Sequence, residues 1–235
     1  MKIAVIIPTY NEKGNIGRLI PKIFSLRVEG LEIIVVDDNS PDGTGKTVEE
    51  LRRGDNRVHL LSRPKKMGLG TAYLAGFRYA LGKGAEYIFE MDADFSHDFR
   101  MIPKFLEEAG NHDFVIGSRY KNGVSITNWP LGRLAISLLA NKYAAFVTGV
   151  KLTDMTSGFK CYRRKVLETI ELDRVRSNGY SFQIEMKYRA HKKNFSLKEI
   201  PIVFAGRYSG MSKISRRIVW EAFWLPWKLR LRIIR

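Results

Sequence analysis

A single cysteine, Cys161, leaves this 235-residue chain unable to close an internal disulfide, and its four scattered histidines offer no zinc-type spacing. A reducing compartment, the cytosol, is the expectation. Long apolar runs are also missing. No window reaches the roughly 18 uncharged apolar residues that a spanning helix needs, and the longest candidate, LGRLAISLLANKYAAFVTGV, is broken by Arg133 and Lys142. The start, MKIAVIIPTYNE, has one Lys and a short apolar run, then Pro and polar residues without a small-residue cleavage pattern. It reads as a strand and not as a signal peptide. The third scarcity is acid, 24 Asp and Glu against 40 Lys and Arg, for a formal charge of +16. Nucleic acid, anionic lipid and phosphorylated substrates all suit such a surface, and charge alone does not choose among them.

What is present suffices for a sizeable core: 45% of the residues are hydrophobic, in a chain long enough for one large domain. Short β-branched runs alternate with helical patterns through the first half, which predicts parallel strands joined by crossover helices. Strands are expected at 3–7, 32–36, 58–61, 87–91 and 114–116. Helices are expected at 15–25, 44–53, 71–81 and 101–108, with Asn15 as an N-cap and Gly54 and Gly82 as stops. This is a doubly wound α/β pattern, a mostly parallel, Rossmann-like sheet flanked by helices. In such sheets ligands bind beyond the carboxyl ends of the strands. Three strands end in polar residues there: Pro8 to Glu12, Asp37 to Asp42 and Asp92 to His97. After Gly117 the alternation is expected to break down, with a helix after Asn128-Trp129-Pro130, a loop at 154–158, a helix near 181–191 and a strand at 197–204.

Two phosphate-loop look-alikes carry nothing. Gly45-Lys46-Thr47 completes a Walker A loop only with a Gly where Ser40 stands, and Gly68-Leu69-Gly70 lacks the third dinucleotide-fingerprint Gly because Tyr73 takes its place. Both are assigned to turns and helix starts. Asp92 and Asp94 are more informative. In strand geometry residues i and i+2 point to one side, so the two carboxylates converge if that geometry persists through Ala93. Convergent hard oxygens suit Mg²⁺ or Mn²⁺, which takes one or two carboxylates and leaves its other positions to water and substrate phosphates. A solvated strand end beginning a turn uses the same residues. Asp37 and Asp38, at a second strand tip, favour the crevice reading. Arg119 follows an apolar strand and Gly117-Ser118, within reach of that crevice and of a phosphate. His97 is assigned a structural hydrogen bond.

The segments IIPTYNE, VVDDNSPDGT, GLGTAYLAGF, MDADFSH, GSRY, NWP and SGFK occur in that order. Together they resemble the inverting family 2 glycosyltransferases of GT-A fold, and within these the dolichol-phosphate and polyprenol-phosphate mannose synthases. The resemblance covers about residues 1–213 and implies a glycosyltransferase domain there, followed at 214–235 by a separate amphipathic helix. By the same resemblance, Pro8, Tyr10, Glu12, Val36 and Asp38 hold the nucleotide's base and ribose. Asp92, Ala93 and Asp94 form the nucleotide and metal motif. Arg119, Arg133, Arg207 and Lys213 bind the donor diphosphate and acceptor phosphate, and Asp94 and Arg119 are the catalytic pair. Ser96 stands where many relatives carry Gln, and is expected as a third, weaker metal ligand. Arg207 and Lys213 bracket YSGMS, read as a phosphate-responsive lid.

The C-terminal stretch SRRIVWEAFWLPWKLRLRIIR places Trp220, Trp224, Trp227, Leu231 and Ile234 at helical spacing, flanked by Arg217, Lys228, Arg232 and Arg235. Pro226 is expected to kink or split this helix. Aromatics beside clustered cations suit either a helix packed on the domain or one lying in an anionic membrane interface. A polyprenyl acceptor favours the second. The resulting expectation is transfer of mannose from GDP-mannose to dolichyl or polyprenyl phosphate with Mg²⁺ or Mn²⁺, peripherally at the cytoplasmic face of a membrane. A UDP-glucose donor is the rival within the class. A basic nucleic-acid-binding protein is the rival outside it, weakened because no nucleic-acid motif is present.

Overall fold

Successive residues of the first strand serve opposite faces of a sheet. Ile3, Val5 and Ile7 are buried on one side, Ala4 and Ile6 on the other. With both faces covered, alternation of polar and apolar residues disappears and the strand reads as continuous apolar sequence. The computed structural model describes residues 1–205 and 216–231, with side chains of the last helix from Phe223 onward. The elements are β1 (Ile3–Thr9), α1 (Lys13–Phe24), β2 (Leu31–Asp37), α2 (Thr44–Gly54), β3 (Val58–Ser62), α3 (Leu69–Gly82) and β4 (Tyr87–Glu90). They continue with α4 (Ile102–Ala109), β5 (Phe114–Ser118), α5 (Leu131–Thr148), β6 (Lys160–Arg163), α6 (Arg164–Thr169), α7 (Gly179–Lys192), β7 (Leu197–Pro201) and α8 (Arg216–Arg230).

The seven strands lie in the order β3-β2-β1-β4-β6-β5-β7. All neighbouring pairs are parallel except the two made by β6, which runs antiparallel to both β4 and β5. Helices α1, α2 and α4 cover one face with Ile16, Leu19, Val48 and Phe105, and α3, α6 and α7 cover the other with Phe77, Leu167, Phe182 and Met186. Helix α3 comes so close to β1 that a Cβ on Gly76 would stand 2.5 Å from the Ile6 side chain. A larger residue there would push the helix off the sheet.

The expected α/β pattern is observed, with corrections. Alternation does not end at Gly117: β6 and β7 complete the same sheet, with helices α6 and α7 between them in the chain. Strand β6 is four residues, Lys-Cys-Tyr-Arg, and its charged ends hid it from an apolar-run criterion. Helix α1 begins at Lys13 with Glu12 at the cap position, so Asn15 lies in its first turn, where its Nδ2 donates to Glu12 Oε2 at 2.8 Å. The last strand stops at Pro201, and Phe204 pairs only by isolated bridges to His97 and Ile126. Gly43 and Gly68, both at positive φ, start α2 and α3, so the two look-alike glycine loops are helix entries. Pro226 lies inside α8 without splitting it. Packing holds that helix: Leu225 and Leu229 are buried with Ala144 of α5 and Ile184 and Tyr188 of α7, and the Tyr143 and Tyr188 hydroxyls donate to the Phe223 and Leu229 carbonyls. Trp224 and Trp227 stay half-exposed on its outer side. Among the described residues no helix is long and apolar enough to cross a membrane.

Candidate active site

Strands β1, β2 and β4 are mutually parallel neighbours, and β5, two antiparallel steps beyond β4, points the same way. Their carboxyl ends therefore form one rim, carrying Pro8 to Glu12, Asp37 and Asp38, Asp92 to His97, and Arg119. Of the sequence-predicted residues with described positions, Pro8, Tyr10, Glu12, Val36, Asp38, Asp92, Ala93, Asp94, Ser96 and Arg119 lie on or beside this rim, whereas Arg133 lies on α5. Arg207 and Lys213 lie outside the described residues.

The acidic turn is built differently from the expectation. Strand β4 ends at Glu90, so Asp92, Ala93 and Asp94 do not share extended geometry. They occupy a bend that passes through Phe95 at φ 61°, a left-handed conformation. Asp94 is buried and its Oδ1 accepts the Ser96 N–H at 3.0 Å, whereas the Asp92 carboxylate is 32% exposed. His97 is structural, as expected: it is buried, its Nδ1 accepts the Asp92 N–H at 3.1 Å, and its ring stacks on Phe159. Tyr73, wholly buried on α3, donates its hydroxyl to Asp92 Oδ1 at 3.2 Å. Burial, then the nearby Asp92 charge, holds the Tyr73 pKa well above the usual phenol value, so the hydroxyl keeps its proton and remains a donor.

Beneath this turn lie fully buried charges. Glu90 faces Lys160 of β6 at 3.0 Å, and the Tyr162 hydroxyl donates to Glu90 at 2.5 Å. Lys187 of α7 donates to the carbonyls of Met155 and Ser157 at 3.0 and 2.9 Å, tying the 155–158 loop to the helix. Burial lowers the pKa of Lys160, and lowers that of Lys187 further, with the like charge of Lys160 assisting.

Arg119 does not extend freely into the crevice. It is 5% exposed, and its Nε and one terminal nitrogen each reach Asp154 at 2.7 Å. The latter also reaches Thr156, and its backbone N–H donates to Asp154 as well. Trp129 and Phe204 lie against the guanidinium. Burial alone would raise the Asp154 pKa, but the charge and hydrogen bonds of Arg119 outweigh it and hold the carboxyl below its usual value. Arg133, at the start of α5, stacks 3.9 Å over the ring of Trp129. At the other end of the rim, Asp38 forms an ion pair with Arg63, accepts the Met67 N–H at 3.1 Å and is nearly buried. The Lys66 ammonium sits 4.1 Å above the ring of Tyr10, and Val36 is wholly inside the sheet. Glu12 N–H donates to Thr44.

Sequence reasoning missed Tyr73, Arg63, Lys160 and Asp154. Tyr73 reads as one more apolar residue of an amphipathic helix. The signal for Lys160 was a Lys immediately after Gly158-Phe159, opposite a Glu at the end of an apolar strand.

The turn fits a small divalent cation. The hydroxyl of Ser96 is buried without a hydrogen-bond partner beside Asp94, and the Asp92 carboxylate stays partly open. No group of three or more His, Cys, Asp or Glu side chains among the described residues forms a closed cage. Two carboxylates and a hydroxyl form a donor set that could share an ion with substrate phosphates.

The Glycosyl transferase family 2 profile matches residues 4–171. The chain belongs to that family. This family 2 glycosyltransferase is 44% identical over 98% of its length to the polyprenol monophosphomannose synthase of Mycolicibacterium smegmatis, 88% of which is covered. It is 41% identical over 94% of its length to the undecaprenyl-phosphate mannosyltransferase of Micrococcus luteus, with 91% covered. In fold the glycosyltransferase resembles the glucosyl-3-phosphoglycerate synthase of Mycobacterium tuberculosis, crystallised with Mn²⁺, uridine diphosphate and phosphoglyceric acid. The TM-score is 0.68 at 17% identity, over 97% of this chain and 78% of that one. At that identity the likeness shows a shared GT-A-type architecture.

Proposed function

We propose that the enzyme transfers mannose from GDP-mannose to a dolichyl or polyprenyl phosphate, with inversion at the sugar carbon. The observation that carries this reading is identity above 40%, over nearly the whole chain, to two mannosyltransferases named for polyprenyl phosphates. Mg²⁺ or Mn²⁺ would be held by Asp92 and Asp94, with Ser96 beside them. When bound, such an ion neutralises the donor diphosphate and eases its departure.

The chain's own residues supply position and exclusion. Tyr73 and the Asp92–His97 bond fix the acidic turn, while the Asp154–Arg119 unit fixes the far wall. A lipid phosphate has its second pKa at about 6, so near neutral pH it is already a dianionic nucleophile and needs no strong base. That agrees with His97, the rim's histidine, being committed to a backbone N–H. Arg119, Arg133, Arg207 and Lys213 are the cations assigned to the two phosphate groups. Asp38 at the β2 tip, with Pro8, Tyr10, Glu12 and Val36, is assigned to the base and ribose.

The test is a matrix of GDP-mannose, GDP-glucose, UDP-glucose and UDP-galactose against polyprenyl phosphate, with Mn²⁺ and with chelator. Mannosyl-phosphoryl-polyprenol from GDP-mannose, lost with chelator, is expected. Turnover with UDP-glucose alone would replace the donor, and no turnover with any donor would end the reading.

The acceptor's tail requires a lipid surface, and α5 and α8 offer one. Phe223, Trp224, Trp227 and Leu231 are exposed on α8 and its end, as are Leu131, Ile136, Leu139 and Phe146 on α5, next to which α8 packs. Lys228 and Arg230 lie exposed on the same helix. This arrangement supports peripheral binding to an anionic membrane, which the proposal places on the cytoplasmic face. Removing α8 would also strip Leu225 and Leu229 from the core, so outward substitutions are the cleaner probe. Each half-exposed Trp offers on the order of 100 Å² to lipid, about 2–3 kcal/mol at about 25 cal/mol per Å². Trp224→Ser with Trp227→Ser is expected to weaken binding to phosphatidylglycerol vesicles at least about tenfold in flotation, with GDP-mannose binding retained. Undiminished flotation would remove the membrane role from this face.

A further inference from the structure

Gln183 lies on α7 and is 3% exposed, yet its Oε1 has no hydrogen-bond partner. A buried amide left unpaired costs about 1–3 kcal/mol, so its persistence calls for a reason. Its surroundings supply one. A Cβ built on Gly158 would lie 3.5 Å from Gln183 Nε2, 3.5 Å from His97 Cε1 and 4.0 Å from Asp92 Oδ2. The amide Nε2, the Asp92 carboxylate and the ring that fixes the Asp92 turn thus converge on a glycine, each within van der Waals reach of where its Cβ would stand.

The helix that carries the amide is also held in place. One helical turn further on, Lys187 binds the Met155 and Ser157 carbonyls and locks α7 onto the loop that contains Gly158. On the other side Phe182 stacks on Tyr73, ring centroids 5.8 Å apart, and Tyr73 itself holds Asp92. The helix is therefore anchored to the acidic turn from two directions, with Gln183 between the anchors.

The chemistry narrows the ligand. An uncharged amide both donates and accepts, which suits hydroxyl groups and is poorly matched to a diphosphate. The base-side carboxylate Asp38 follows β2, two strands and about 10 Å from the β4 tip that carries Asp92. Gln183 stands at the metal-motif end and not at the base end. We propose that Gln183 reads hydroxyl groups of the sugar being transferred, as a specificity-determining residue of the donor site. The proposal rests on the reading of this rim as the nucleotide-sugar site.

The experiment compares two probes, GDP and GDP-mannose, each titrated with Mn²⁺ into wild-type enzyme, Gln183→Ala and Gln183→Leu. Leu retains the apolar bulk of the side chain, so it covers the case in which Ala fails to fold. The expected result is GDP affinity within about twofold of wild type and GDP-mannose affinity weakened about tenfold, the scale of one or two lost hydrogen bonds. The ratio of kcat/KM for GDP-mannose to that for GDP-glucose should fall in the same variants. Equal weakening of GDP and GDP-mannose would make Gln183 a structural residue and overturn the proposal. Unchanged GDP-mannose binding and an unchanged sugar ratio would overturn it too. If wild-type enzyme binds neither probe, the parent reading fails first and takes this inference with it, a result distinct from a wild type that works beside an indifferent variant.

Discussion

Asp94→Asn is expected to lower kcat/KM at least about 10²–10³-fold while the melting temperature moves by no more than a few degrees. The size follows from the role. Losing one preorganised electrostatic partner of a developing oxyanion costs about that much, and under the proposed function the carboxylate would answer the charge of a departing diphosphate through the ion it would hold. The small stability change follows from geometry. Asp94 contributes its Oδ1 to the Ser96 N–H, a turn bond that the Asn amide oxygen can also make. In a chain of this size about 1 kcal/mol moves the melting temperature by about 2–4 °C. Mn²⁺ titration by electron paramagnetic resonance should show the loss directly, in the presence of GDP. Turnover within tenfold of wild type would remove Asp94 from the mechanism.

Asp154→Ala is expected to act in the opposite manner, through the fold before the chemistry. It leaves the Arg119 guanidinium buried without its bidentate partner. Breaking a buried pair by removing one member costs about 3–5 kcal/mol, so a fall in melting temperature on the order of 10 °C is expected. Arg119→Met combined with Asp154→Leu should restore much of that stability, because no charge is then left stranded. It should not restore transfer, for which the proposed function assigns the Arg119 cation. The sign of the pH dependence is fixed by the lowered Asp154 pKa, where Arg119 outweighs burial. The pair's contribution is complete above the unfolded-chain value of about 4 and is lost as pH falls through the lower folded value. The stability gap between wild type and Asp154→Ala should therefore be widest near neutral pH and close in acid. A gap that widened below pH 4 would contradict the assignment.

The first half of the fold was legible because both faces of β1, β2 and β4 are covered, which turns each strand into an uninterrupted apolar word ending in polar residues. The rim was legible for the same reason: Asp37 ends β2 with Asp38 after it, and Asp92 stands two residues beyond the end of β4. The partners of those residues were not. Arg119 meets Asp154 across 35 positions, and Lys160 meets Glu90 across 70, so no local spacing announces either pair. The C-terminal stripe was half legible. Trp224 and Trp227 mark the outer face of α8, whereas the hold on the domain comes from Leu225 and Leu229, one position after the first and two after the second, which carry no signal of their own.

The place of β6 in the sheet has a consequence for synthesis. Strands β1 to β4 are complete once about ninety residues have left the ribosome, but the free side of β4 is filled by Lys160–Arg163, whereas β5, the next strand to emerge, never touches it. Until then the nascent polypeptide carries an unpaired strand flank, the kind of border on which chains stick to one another. Synthesis between residues 90 and 163 is therefore the interval in which this flank of β4 has no partner strand available.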